Sequence, residues 1–354
     1  MPKKRIAVAM SGGVDSSVAA AFLAKEGNDV FGLTMELTGE ESRCCSLNDI
    51  HDAREVARSL SIPHYVIPLR EGFQKHVIDY FVREYLRGRT PNPCAVCNPS
   101  VKFGILLEKA MELGADIFAT GHYALVKYDS AAERHVLMRA KEKGKDQSYF
   151  LARLPQKALK RTLFPVGNFP KSKIRDLASR IGLTVAEKTE SMDACFLPDM
   201  ELIDFIERES GQPMESGPVV DENGKTLGRH RGTAGYTIGQ RKGLGVAAGV
   251  PVYVTRIDCG TNTLVVGTEE KLYHRNLAAS DPNWIAVEKP ERPVRARVRI
   301  RYKHRPAWAW IEPDGRNRVR VRFDSPQRAI TPGQLAVFYD GDAVLGSAWI
   351  DSIL

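Results

Sequence analysis

The chain has 354 residues, 43% apolar and 27% charged, a composition that is ordinary for a soluble globular protein of about two or three domains. Its longest apolar runs are too short to cross a bilayer, and its first residues lack the apolar segment of a secretion signal, so we expect a cytoplasmic protein. The six cysteines do not make a disulfide scaffold in a chain of this length, and in a reducing compartment they indicate catalysis or metal binding.

The first ~200 residues alternate strand-like and helix-like segments. "RIAVAM" predicts a strand, "SSVAAAFLAKEG" an amphipathic helix and "DVFGLTME" a second strand. "NDIHDAREVARSLS" then predicts a helix and "PHYVIPL" a strand, and two more helices precede the strand "ADIFATGHY". This alternation predicts a parallel sheet covered on both faces, with ligands bound at the carboxyl ends of its strands.

The pattern changes after about residue 205, where Gly and Pro become frequent and the strands become short. From about residue 280 it is strand and turn throughout. We therefore expect an α/β domain at residues 1–204, a small β domain at 205–280 and a C-terminal β-barrel-like domain at 281–354.

The segment "SGGVDSSVAA" follows the first strand directly and begins the first helix. Gly12 and Gly13 allow a tight turn with bare N–H groups, and the serine hydroxyls and the helix N-terminus add further donors for a phosphate. Asp15 would repel a phosphate and is better suited to hold Mg²⁺ or to orient the loop. The alternative is an ordinary capped helix after a glycine turn.

The segment "TPNPCAVCN" contains Cys94 and Cys97 at CxxC spacing. That spacing fits a structural metal site, a redox pair, part of a cluster or the reacting groups of an enzyme. No further pair of ligands follows nearby at the spacing that zinc sites use. The motif alone leaves these alternatives open.

Two C-terminal segments place basic residues at alternate positions. "VRARVRIRYK" puts Arg295, Arg297, Arg299, Arg301 and Lys303 on one face of a strand, and "RNRVRVRF" repeats the pattern. A face of one sign favours a surface for a polyanion over a merely solvated face. Trp308 and Trp310 alternate in the segment between, and we expect them to pack in the core rather than to stack on bases.

The "SGGVDSS" loop resembles the PP-loop of ATP pyrophosphatases, which cleave ATP between the α- and β-phosphates and adenylate an oxygen of the substrate. The later segments "GRTPNPCAVCNPSVKFG", "ATGHY", "KDQSYFL", "DACFLP", "TIGQRKGLG" and "TPGQLAVFY" follow in order. With the loop, they closely resemble the tRNA-specific 2-thiouridylases (the MnmA family) over nearly the whole chain. Enzymes of that family replace O2 of the wobble uridine of certain tRNAs with sulfur.

The resemblance implies ATP and Mg²⁺ as cofactors, tRNA as a partner, and a cysteine desulfurase or sulfur-relay protein as the sulfur donor. It makes Cys97 the nucleophilic cysteine and Cys195 the cysteine that carries a persulfide. It implies that ATP is held by Ala9, Met10, Ser11, Gly12, Gly13, Val14, Asp15, Ser16, Met35 and Gly121. It implies tRNA contacts, the target base included, at Asn92, Pro93, Cys94, His122, Lys145, Asp146, Gln147, Arg301, Tyr302 and Gln334.

One residue departs from the family pattern, because the better-known members carry an aspartate where this chain has Cys94. Cys94, Cys97 and Cys195 together could hold a [4Fe–4S] cluster with its fourth iron open. The rival is the persulfide route, with Cys94 as a bystander. The alternative functions are a PP-loop ligase or amidotransferase acting on a small molecule, and a non-enzymatic iron–sulfur or RNA-binding module.

Overall fold

The computed structural model describes residues 3–37, 46–188, 195–197, 200–247, 249–315 and 317–354. Within these ranges the strands are β1 (Arg5–Ala9), β2 (Asp29–Glu36), β3 (His64–Pro68), β4 (Ile117–Thr120), β5 (Ala124–Asp129), β6 (Arg134–Arg139), β7 (Thr162–Leu163), β8 (Gly217–Val220), β9 (Thr226–His230), β10 (Tyr253–Asp258), β11 (Thr263–Gly267), β12 (Tyr273–Trp284), β13 (Val294–Arg299), β14 (Ala307–Pro313), β15 (Arg318–Arg328), β16 (Leu335–Asp340) and β17 (Ala343–Ile353).

The α-helices of the same ranges are α1 (Val14–Lys25), α2 (Leu47–Ser59), α3 (Arg70–Phe73), α4 (Asp79–Leu86), α5 (Pro93–Cys97), α6 (Leu107–Glu112), α7 (Ser148–Leu151), α8 (Gln156–Leu159), α9 (Lys171–Arg180) and α10 (Leu202–Ser210). Two wide π-helical segments, Gln74–Ile78 and Asn98–Leu106, join α3 to α4 and α5 to α6. In the part of the chain that the structure describes, no helix has the length and apolar character to cross a membrane.

The first domain is built on a five-stranded sheet in the order β3-β2-β1-β4-β7, and every pair in it is parallel. One face of the sheet packs Ile6 and Val8 against Val18 and Leu23 of α1. The other face belongs to a separate core. The prediction of a parallel sheet covered on both faces is therefore confirmed.

Two β domains follow. β8–β11 form a four-stranded sheet in the order β10-β11-β8-β9. β12-β15-β14-β13-β16-β17 pair in sequence, and β12 also pairs with β17, so these six strands close into a barrel. The predicted fold class is confirmed, and the predicted residue boundaries of the domains stay a prediction.

The hairpin β5–β6 was not predicted from the sequence. It lies within the first domain but extends the barrel sheet through the pair Met138–Ala343. The core on the face of the parallel sheet opposite α1 likewise includes Leu335, Val337 and Tyr339 of the barrel. The first domain and the barrel therefore share one continuous apolar core.

A buried carboxylate ties this junction together. Asp146 is 1% exposed, and its Oδ2 lies 3.1 Å from Nε of Arg139 and 3.5 Å from Nη1 of Arg299 in the barrel. It also accepts hydrogen bonds from the N–H groups of Ala140 and Ser148 and from the Ser148 hydroxyl. The carboxylate is thus surrounded by protein donors that compensate for its burial.

We expect Asp146→Ala to destabilise the protein by about 3–5 kcal/mol, because it leaves two partly buried guanidinium groups without their counter-ion. The measurement is the midpoint of thermal unfolding. Asp314→Ala is the matched control, since Asp314 pairs with Arg320 at 3.1 Å on the exposed surface of the barrel, where such a pair contributes at most about 1 kcal/mol. Equal shifts in the two variants would contradict the role of Asp146.

Candidate active site

The loop between β1 and α1 is shaped by close backbone packing. Gly12 has φ +66°, and a Cβ atom there would lie 2.4 Å from the carbonyl oxygen of Asp49. Oγ of Ser16 accepts a hydrogen bond from the N–H of Ser11 at 3.2 Å and donates to the carbonyl of Gly13 at 3.1 Å. Among the described residues, no side chain caps the N-terminus of α1, so its first N–H groups can bind an anion.

The residues predicted to hold ATP lie at one edge of the sheet. Ala9 at the end of β1 is paired with Leu33 of β2 and with Thr120 of β4. Met35 therefore lies near the end of the neighbouring strand, and Gly121 immediately follows the other. Gly121 touches the first turn of α1, because a Cβ atom on it would lie 2.5 Å from the backbone nitrogen of Ser16. Their contact with ATP stays a prediction.

Asp15 is held by two groups of the first domain. Nζ of Lys171, at the start of α9, lies 2.7 Å from both carboxylate oxygens, and the hydroxyl of Tyr123 donates to Oδ1 at 2.9 Å. Of the two roles considered for Asp15, this geometry favours orienting the loop. The sequence pattern did not single out Lys171, because a lone lysine beginning a helix carries no recognisable signal.

A second lysine fastens the loop from the other side. Nζ of Lys188 lies 2.7 Å from Asp49 and 2.5 Å from Asp52, both on α2, and donates to the carbonyl of Gly12 at 3.1 Å. Partial desolvation opposes its charge, but the hydrogen bonds to the two carboxylates raise the pKa of Lys188 above its ordinary value. Lys188 therefore binds both the loop and the helix that packs on it.

The CxxC motif lies on a short helix. Oδ1 of Asn92 accepts a hydrogen bond from the N–H of Ala95 at 3.1 Å and so caps α5, which carries Cys94 and Cys97 one turn apart. Cys94 is exposed, whereas Cys97 is buried at 8% exposure. The sequence analysis did not predict that the motif itself is helical.

Cys195 and Lys102 lie close enough to both thiols to act on them electrostatically. Burial raises the pKa of Cys97 to about 12; Lys102 opposes this shift, and Cys195 and Cys94 add to it. Cys94 is exposed by its surface area, but protein atoms around its sulfur still desolvate the thiol and raise its pKa. The structure thus brings together the three cysteines predicted from the sequence, and Cys97 is a thiol at neutral pH in this state.

The next question is whether the described residues contain side chains arranged as metal ligands. Among the described residues, no group of three His, Cys, Asp or Glu side chains is arranged to hold a metal ion. Cys44 and Cys45 lie outside the described residues, as do residues 189–194 before Cys195.

His122 is linked to the cysteine site through Lys102, whose charge acts on both. Its Nδ1 is 2.8 Å from the hydroxyl of Thr120, and its ring packs against Phe103 and Phe164. Burial lowers the pKa of His122 well below its ordinary value, and Lys102 lowers it further. His122 is therefore neutral at physiological pH and offers a hydrogen bond rather than a charge.

Several residues that the family resemblance assigned to tRNA also make contacts within the protein. Asp146 is enclosed as described, and Oε1 of Gln147 accepts from the N–H of Tyr123 at 2.8 Å. Arg301 donates to the carbonyl of Arg328, and the ring of Tyr302 lies 4.4 Å from that of Phe150. Any contribution of Asp146 to RNA binding would come through its neighbours Lys145 and Gln147.

The predicted one-sign basic face needs correction. Arg295 is paired with Asp324, Arg320 with Asp314 and Arg322 with Glu312, so the exposed face mixes both signs. Arg299 lies on the same side of β13 as Arg295, but the first domain covers that end of the strand and Arg299 faces Asp146. Arg316 lies outside the described residues.

The expectation that Trp308 and Trp310 pack in the core was wrong. They are 45% and 36% exposed, because the alternate residues Ala309 and Ile311 of β14 point into the barrel. The guanidinium of Arg295 lies 5.3 and 5.4 Å from their ring centroids, and that of Arg297 lies 5.0 Å from Trp308. The outer barrel face is therefore a layer of arginine and tryptophan.

Known families match the chain in three consecutive parts. Residues 4–199 match a family described as the tRNA methyl transferase HUP domain, residues 203–268 its PRC-barrel domain, and residues 274–350 an aminomethyltransferase β-barrel domain. A protein from Acetivibrio thermocellus named tRNA-specific 2-thiouridylase MnmA is 48% identical over 99% of this chain and 100% of its own length. One of the same name from Geotalea uraniireducens is 51% identical over 99% of this chain and 95% of its own.

We expect Gly12→Ala to weaken nucleotide binding at least about tenfold, because the new Cβ would displace either the loop or α2 at Asp49. The measurement is calorimetric titration with ATP. Gly182→Ala is the matched control: Gly182 has a similar φ of +71°, but no atom of the described residues lies within 4 Å of its Cβ position, so this variant shares the backbone strain alone. Equal ATP affinity in the two variants would contradict the assignment of the loop.

Proposed function

This chain belongs to the family of tRNA-specific 2-thiouridylases, and from that membership we propose that it replaces O2 of the wobble uridine of tRNA with sulfur at the expense of ATP. The observation that carries the proposal is the pairing of two sites. Among the described residues, no side chain caps the helix N-terminus at the SGGVDS loop, and the three cysteines lie near Lys102. The charge of Lys102 also acts on His122, which directly follows Gly121 at the loop.

The first step is activation of the uridine. O2 attacks the α-phosphorus of ATP, pyrophosphate leaves, and C2 then carries AMP in place of a poor leaving group. The first N–H groups of α1 bind phosphate oxygens, and Lys171 and Lys188 hold the loop in place through Asp15 and the Gly12 carbonyl. Mg²⁺ would arrive with the ATP phosphates; we assign it no protein ligand, because Asp15 is already bound by Lys171.

The second step is sulfur transfer. The terminal sulfur of a persulfide on Cys195, loaded by a cysteine desulfurase or relay protein, attacks C2, and AMP leaves. Cys97 then attacks Sγ of Cys195, which breaks the S–S bond, releases the 2-thiouridine and forms a Cys97–Cys195 disulfide. A cellular dithiol must reduce this disulfide before the next turnover.

Cys97 must lose its proton before it attacks, because the thiolate is the nucleophile. In the free enzyme, burial raises the pKa of Cys97 to about 12, so it rests as a thiol. The charge of Lys102, five residues further along the same continuous helix, is the nearby influence that lowers the pKa. The alternative sulfur carrier is a [4Fe–4S] cluster on Cys94, Cys97 and Cys195, through which we derive no step.

We expect Cys97→Ser and Cys195→Ser to abolish thiolation while tRNA-dependent release of pyrophosphate continues, because activation of O2 needs no thiol. Cys94→Ser should keep substantial thiolation, since the persulfide route does not use Cys94. The readouts are 2-thiouridine in digested tRNA, pyrophosphate and protein-bound iron, all from protein prepared without oxygen. Loss of both thiolation and iron in Cys94→Ser would instead favour the cluster.

We propose that the arginine–tryptophan face of the barrel binds RNA through its phosphates. Arg297→Gln should weaken tRNA binding and reduce the log–log salt slope by about 0.7–0.9, the value for one lost phosphate contact. Arg180→Gln, at the exposed end of α9, is the control and should leave the slope unchanged. If the slope is also unchanged in Arg297→Gln, the face is merely solvated.

A further inference from the structure

We propose that the barrel turn Thr331–Gln334 is a positioning element for the cysteine helix α5, with Gln334 as its main contact. The role of the cysteines in this inference rests on the proposed function. The position of the turn rests on contacts between the barrel and residues 89–92, which lead into α5. Gln334 would then act on sulfur transfer through the backbone that carries Cys94 and Cys97.

The amide of Gln334 is fully engaged with that backbone. Its Nε2 donates to the carbonyl of Thr90 at 3.0 Å and to the carbonyl of Pro91 at 3.1 Å. Its Oε1 faces the hydroxyl of Tyr149 at 3.5 Å, and Tyr149 also donates to the carbonyl of Leu335 at 3.1 Å. Both ends of the amide thus have partners that fix its orientation.

The backbone of the same turn adds two contacts. The N–H of Thr90 donates to the carbonyl of Pro332 at 2.9 Å. Gly333 has φ +90°, and a Cβ atom on it would lie 2.8–3.0 Å from backbone atoms of Thr90. The backbone segments around Thr90 and Gly333 therefore pack directly against each other, without an intervening side chain.

Contacts on either side complete the attachment of this segment. Arg89 donates to the carbonyl of Ile350 in β17 at 3.1 Å and pairs with Glu84 at 2.7 Å. The hydroxyl of Thr90 lies 3.1 Å from that of Thr237 in the middle domain. Residues 89–91 are thus fastened from both β domains, directly before Asn92 caps α5.

This arrangement explains how Cys97 stays buried so near a helix N-terminus. α5 has five residues and little stability of its own, so its position depends on the segment that leads into it and on the helix that follows. Releasing residues 90–91 would let the first turn of α5 open and expose Cys97. A role of Gln334 limited to touching tRNA would have no such effect on the free enzyme.

The test measures the alkylation rate of Cys97 by iodoacetamide in the full chain without tRNA or ATP, with the modified peptide identified by mass spectrometry. We expect Gln334→Leu to raise the rate about tenfold, a factor equivalent to about 1.4 kcal/mol and within the net value of two hydrogen bonds. Gln334→Glu keeps the size of the side chain but turns an acceptor toward two carbonyls, and it should raise the rate at least as much.

Gln156→Leu is the matched control. Gln156 also joins the first domain to the barrel through its amide, which donates to the carbonyls of His135 and Ile285 at 2.9 and 3.0 Å. Its removal should leave the alkylation of Cys97 unchanged. Rates equal to wild type in both Gln334 variants, or an equal rise in Gln156→Leu, would overturn the proposal. Because the assay uses neither substrate, its failure is distinct from a failure of thiolation.

Discussion

The close approach of three backbone segments around the first turn of α1 is the constraint on which the proposed nucleotide site depends. Gly12 lies against Asp49 of α2, and Gly121 at the end of β4 lies against Ser16. Neither contact leaves room for a side chain, so the carboxyl ends of β1 and β4 meet the helix N-terminus directly. In the proposed anion site, backbone N–H groups rather than mobile side chains would therefore bind the phosphates, and their position follows from the strand order.

Two buried or half-buried lysines complete this arrangement. Lys171 and Lys188 come from segments that follow the sheet in the chain. Lys171 binds the carboxylate of Asp15 beside the loop, and Lys188 joins the carbonyl of Gly12 to the carboxylates of Asp49 and Asp52 on α2. Their charges also offset the negative charges of Asp15, Asp49 and Asp52 near a site that is proposed to receive a polyphosphate. The acidic residues around the loop are thus compatible with an anionic ligand, because Lys171 offsets the repulsion that the sequence predicts between Asp15 and a phosphate.

Sequence patterns predicted the parts of the structure that depend on residues close together in the chain. Alternating strand and helix signals predicted the parallel sheet, and the glycine and serine pattern predicted the loop, because both follow from neighbours in the chain. Lys171 and Lys188 were missed because their partners are far away in sequence. Trp308 and Trp310 were misplaced because alternation shows that a strand has two faces without showing which one lies inside; there the small Ala309 fits the barrel interior.

Which arginines are buried could likewise not be predicted from the alternation of residues along the strand. Arg295 and Arg299 have the same position in the alternation of β13, yet one is exposed to solvent and the other meets Asp146 under the first domain. Cys94 and Cys97 share one motif and one helix but also differ in exposure, because the surrounding domains cover one of them and not the other. CxxC spacing could place the two thiols on one helical turn, but only the packing of the domains decides which thiol is shielded.

The apolar core shared between the first domain and the barrel has a consequence for how the chain is made. Leu335, Val337 and Tyr339 complete the core beneath Phe103 and Phe118, but a ribosome would deliver them after nearly all of the rest. Until the barrel has been synthesised, the first domain therefore has an uncovered apolar face, and its β5–β6 hairpin lacks the strand β17 with which it pairs. Prematurely terminated chains would keep that surface exposed and become substrates for chaperones or for aggregation, rather than smaller working enzymes.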